Sequence, residues 1–162
     1  MAVQPNSSSR LLQTLASESE LVSLFISLLE KEQASLVEGQ TEALPQIAEE
    51  KSRVAEQLSG VGNERNRLLA EEGLAGGPSG IEAWCARHPQ EKSIAATWAE
   101  VLDKARRAKG LNQLNGNLIT LRMQHTTRAL EALRSASRPL DLYGPDGQST
   151  GVGTARRIID SA

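Results

Sequence analysis

Aromatic side chains are nearly missing from this 162-residue chain, which has one Phe, one Tyr and two Trp. The apolar content, 39% of residues, is therefore mostly Leu, Ala, Val and Ile, a composition that favours helices packed on helices over a sheet sandwich. Cysteine occurs once, at Cys85, so no internal disulfide can form and a reducing compartment is expected. Excess charge of either sign is lacking too. Eighteen basic against twenty acidic residues leave a net charge of −2, which gives no electrostatic basis for binding nucleic acid or an anionic membrane. The most apolar run, LVSLFISLL at 21–29, is shorter than a bilayer span and is broken by Ser23 and Ser27. The N-terminal MAVQPNSSSR has no signal-peptide core, so a soluble cytoplasmic protein is expected, without membrane insertion.

What is present is helical periodicity. A loose arm is expected over residues 1–9, with Ser7 to Ser9 offering an N-cap. The first helix is predicted over about 10–38. Its seam is Leu11, Leu15, Glu18, Val22, Phe25, Leu29, Glu32 and Leu36, in alternating steps of four and three with two acidic interruptions. Leu12, Leu21, Leu24 and Leu28 widen that stripe, so this helix should touch more than one neighbour. A second helix is predicted over about 42–72, started by Pro45, with Lys51 and Arg65 as the polar members of its stripe. GLAGGPSG at 73–80 is the clearest break. A short helix follows over 81–87, then a long one over 90–136 with Pro89 in its first turn. Its expected core stripe is Ile94, Trp98, Val101, Ala105, Ala108, Leu111, Leu114, Leu118 and Leu121. After Arg138-Pro139 a turn and flexible tail are expected over 139–162.

Short connections between long helices imply antiparallel neighbours. The expected fold is all-α: an elongated antiparallel three-helix coiled-coil bundle with one short extra helix. The last helix is the longest, so its C-terminal half should outrun its partners. There Leu118, Leu121, Ala129 and Leu133 would continue the core stripe while Ile119, Met123 and Leu130 form a second one, an uncovered apolar surface that marks a binding site.

No catalytic constellation stands out, and no enzyme and no cofactor are expected. Cys85 and His88 can share a helix face, but further metal ligands, an oxyanion site and a third catalytic group are not suggested; a half-buried cysteine is the simpler reading. GLAGGPSG lacks the Gly-Lys-Ser/Thr ending of a phosphate loop. Trp84 and Trp98 are expected in the core. In LNQLNGNL, 111–118, Asn112 and Asn115 fall on the continued seam, where a buried Asn fixes register, and Gly116 is expected to allow close packing or a bend.

Three stretches carry a family likeness: QIAEEKSRVAEQL at 46–58, LNQLNGNLI at 111–119 and LYGPDGQ at 142–148. The chain resembles the FlgN-type flagellar export chaperones over roughly residues 10–148, although MQHTTRALEAL at 123–133 departs from the polar run usual there. The resemblance implies a non-enzymatic cytoplasmic protein. It would bind the C-terminal segments of the hook–filament junction proteins, prevent premature assembly and deliver them to the type III export gate. The client face would comprise Ile119, Met123, Leu130, Leu133 and Leu140. The resemblance carries docking on the gate's cytoplasmic domain onto Leu142, Tyr143 and Gly144. A monomer and a weak homodimer both remain open. A structural or adaptor coiled-coil protein, of this or another secretion apparatus, is the alternative.

Overall fold

The computed structural model describes residues 6–137 and contains four helices: α1 (Ser7–Glu38), α2 (Leu44–Glu71), α3 (Pro78–Arg87) and α4 (Lys92–Ala136). Among the described residues there is no strand. The expected tail over 139–162 lies outside them, as do residues 1–5 of the expected arm. The chain divides into two units, Met1–Arg122 and Met123–Ala162, and α4 contributes to both.

Helix boundaries follow local chemistry. α1 begins at Ser7 because Asn6, not a serine, is its cap: the Asn6 side chain accepts from Ser9 N at 2.9 Å, so Ser7 to Ser9 are already helical. It ends at Gly39, whose φ of 81° suits a residue without Cβ. Pro45 sits in the first turn of α2, where its missing N–H is no loss. α3 starts earlier than expected, because Pro78 serves as its first residue. α4 starts later than expected. Pro89 lies in a turn closed by Glu91 N to His88 O at 3.0 Å, and the helix begins at Lys92.

In the first unit α1, α2 and α4 pack together. The base of the core holds Leu15, Leu69, Ile81, Trp84, Ile94 and Trp98, so α3 plugs the end of the bundle with its buried Ile81 and Trp84. Higher up, Val22, Ile26 and Leu29 of α1 meet Ala108 of α4, and Leu28 meets Ile47 and Val54 of α2. α1 is long and apolar enough to cross a membrane by length and composition, with a window of mean hydropathy 1.2. In the structure Leu15, Val22, Ile26, Leu28 and Leu29 of this helix are buried in the bundle, while Leu24 stays half exposed.

The polar interruptions of the α1 stripe meet those of α2. Arg65 Nη1 donates to both Glu18 oxygens, at 2.6 Å to Oε2, and Lys51 Nζ donates to Glu32 Oε2 at 2.8 Å. Two heptads up α1 are matched by two heptads down α2, which defines the antiparallel register. α4 adds a third member to each layer. The Arg65 guanidinium lies 5.1 Å from the Trp98 ring, and Asn115 Nδ2 donates to Glu32 Oε2 at 2.9 Å and to Leu29 O at 2.8 Å. α4 runs parallel to α1: Ser8 bonds Glu91, Ser19 bonds Glu100 and Lys104, and Arg122 reaches Val37 O at 3.4 Å.

The α4 stripe departs from expectation along its length. Asn115 is 1% exposed, yet Ala105, Asn112, Leu114 and Leu121 face solvent. With Asn115 turned inward to Glu32, Leu114 and Leu121 lie about 100° and 120° round a 3.6-residue helix from it, off the contact face. Gly116 is exposed, with nothing within 4 Å of where a Cβ would stand, so it does not serve close packing.

Candidate functional site

The second half of α4 carries the densest set of exposed apolar side chains. In the first unit these are Leu114, Ile119 and Leu121, and in the second they are Met123, Leu130 and Leu133, with Met123 and Leu133 each 66% exposed. Every described residue from Met123 onward is exposed. The sequence places good helix formers here (RALEALRSA), so the helix continues through Ala136 while burying none of its apolar residues.

Ile119, Met123, Leu130 and Leu133 follow one another in heptad steps, with Thr126 filling the gap between Met123 and Leu130. In the second unit Ser137 Oγ donates to Leu133 O at 2.6 Å, within one turn of the chain. Leu140, Leu142, Tyr143 and Gly144 lie outside the described residues.

Of Asn112, Asn115 and Gly116, only Asn115 enters the core. Its Oδ1 accepts no hydrogen bond among the described residues, and neither do Trp98 Nε1 and Arg65 Nε find a partner. Both polar layers are therefore held at some energetic cost. Sequence reasoning missed that Asn115, Glu32 and Lys51 are one network. The available signal was that all three interrupt apolar stripes.

The remaining reactive group offers little chemistry. Burial pushes the Cys85 thiol above its usual range, which disfavours the nucleophilic thiolate. Its neighbour His88 is stacked on Trp84, ring centroids 4.3 Å apart. Among the described residues no group of three His, Cys, Asp or Glu side chains is placed to hold a metal. Lys104, followed by the Ser19 hydroxyl, holds the Glu100 carboxyl below the ordinary carboxylate range; this cluster ties α1 to α4 and lines an open pocket between them.

The FlgN protein family model matches residues 1–151. The chain is 28% identical over 152 residues to the flagella synthesis protein FlgN of Yersinia enterocolitica, covering 93% of this chain and 96% of that one. It is 30% identical over 125 residues to the flagella synthesis protein FlgN of Salmonella typhimurium strain LT2, covering 76% and 78% respectively. No solved structure matches it.

Proposed function

The chain belongs to the FlgN family of flagella synthesis proteins, and from that premise we propose that it is a cytoplasmic chaperone of flagellar type III export rather than an enzyme. Its clients are the hook–filament junction proteins, bound through their C-terminal segments until these are handed to the export gate. The observation that carries this reading is the exposed heptad seam at the end of α4, Met123, Leu130 and Leu133 above all.

An amphipathic client helix laid on that seam buries apolar surface on both partners. Methionine suits a face that takes more than one related client, because its unbranched side chain repacks easily. Ordering a flexible client segment takes about 2–5 kcal/mol from the gross interaction, which leaves an affinity weak enough for release. Leu140 extends the client face in this proposal, and Leu142, Tyr143 and Gly144 dock on the gate's cytoplasmic domain.

The test is calorimetric titration of the junction proteins' C-terminal peptides into the full chain. Saturable binding is expected for the wild type, weakened at least tenfold by Met123→Asp with Leu130→Asp, about 1.4 kcal/mol or more. Tyr143→Ala should retain client binding and lose capture by the gate's cytoplasmic domain. No binding of either peptide, together with concentration-dependent elongation in light scattering, would return the coiled-coil scaffold reading.

A further inference from the structure

A second apolar surface lies in the first unit, apart from the α4 seam. α1 and α2 leave an open groove of about 590 Å3 between them, lined by Glu20, Leu21 and Leu24 of α1 and by Gln57, Gly60 and Val61 of α2. Leu24 is 48% exposed at one wall. At the other wall Gly60 sits in mid-helix, and a Cβ there would meet nothing within 4 Å. No contact within the described residues requires the glycine. A helix that gives up side-chain packing and propensity at such a point leaves a hole into which an outside side chain can fit.

The charges around the groove say what kind of side chains would flank that one. Glu20 precedes Leu24 by one turn, and Glu56 precedes Gly60 by one turn. Because α1 and α2 are antiparallel, the two carboxylates lie on opposite rims and toward opposite ends of the groove. Among the described residues neither makes an ion pair or a side-chain hydrogen bond. The cations along the rims are Lys31, two turns beyond Leu24, Arg53, which is engaged by Glu49, and Arg10, two turns before Ser17 and engaged by Glu64 and Glu71; Lys104, engaged by Glu100, lines the neighbouring α1–α4 pocket together with Glu20.

We propose that this groove binds an amphipathic helix of another protein, one with a large apolar side chain over Gly60 and Lys or Arg one turn to either side on opposite flanks. The apolar floor supplies burial, and the diagonal carboxylates select a basic partner and fix its orientation. The site stands whether or not α4 binds export clients. A groove of this kind adds a helix to a three-helix bundle, completing four.

Two designed helical peptides about three heptads long test it, with the same Leu and Ala stripe and either Lys or Glu on the flanks. Their anisotropy is followed on titration with the full chain. The Lys-flanked peptide is expected to bind at least tenfold tighter. Gly60→Leu should weaken it at least tenfold while the melting temperature holds or rises, and Glu20→Lys with Glu56→Lys should reverse the preference between peptides. The Met123→Asp, Leu130→Asp variant should bind as the wild type does. Equal affinity for both peptides, or no effect of Gly60→Leu, would overturn the proposal. So would loss of binding only in the Met123, Leu130 variant. A dimer in sedimentation equilibrium that Gly60→Leu dissociates would put a second copy of this chain in the groove instead.

Discussion

Glu18 and Arg65 face each other almost out of water, each side chain 12% exposed. Removing one partner of such a pair strands the other, at roughly 3–5 kcal/mol, whereas replacing both with apolar residues of similar size is often neutral or stabilising. Arg65→Ala should therefore lower the urea midpoint steeply. Glu18→Leu combined with Arg65→Leu should recover wild-type stability or exceed it. A double variant as unstable as Arg65→Ala alone would mean that the pair is net stabilising here, with Trp98 contributing through its contact with the guanidinium. At this scale Glu18, Glu32, Lys51 and Arg65 were legible as breaks in apolar stripes. Which of two nearby asparagines would be buried was not, because Asn112 and Asn115 both lie near the seam by spacing. The choice is made by the approach of α4 to Glu32.

Glycines show how far an element can be read alone. Gly116 and Gly80 both stand inside helices, and sequence cannot tell a glycine that packs from one that merely weakens. A Cβ at Gly116 meets open space, so Gly116→Ala should raise stability by about 1 kcal/mol through helix propensity. At Gly80 a Cβ would stand 1.8 Å from Ala75 O, a backbone atom that cannot swing aside. Gly80→Ala should destabilise by about 1–3 kcal/mol, the range typical of overpacking. Thermal melts of the two variants should move in opposite directions. The expected role of Gly116 in close packing is thereby corrected, while the close approach belongs to the α3 entry, which the sequence marked only as a Gly-rich break. The two helix starts that were misplaced share one cause: Pro78 and Pro89 can each begin a helix or sit in a turn, and the backbone bonds around them decide.

For the molecule as a whole, the three-helix packing was legible because long periodic helices with short connections leave few arrangements. The α4 seam was legible as a surplus of apolar positions, since α4 has 45 residues against 32 and 28 for α1 and α2. The α1–α2 groove was not: Leu24 looked like one more member of a widened stripe, and only the fold shows it half exposed beside Gly60. A helical segment with no buried residue has little to hold it beyond its own hydrogen bonds. Backbone amides of 123–136 should exchange with solvent orders of magnitude faster than those of α1. Saturation with a client peptide should slow them selectively, and uniform protection across α4 without client would contradict that. Met123→Asp with Leu130→Asp should leave the melting temperature within about 1–2 °C of wild type, as surface substitutions do.

Both tryptophans of the chain, Trp84 and Trp98, are sealed in the base of the core where α3 closes the bundle. Residues 123–137 contain none. Intrinsic emission excited at the red edge is thus a reporter of the first unit. It should track unfolding of the base faithfully, with the cation beside Trp98 colouring the signal. An extrinsic dye on the last turns of α4 is therefore the optical probe for the second unit.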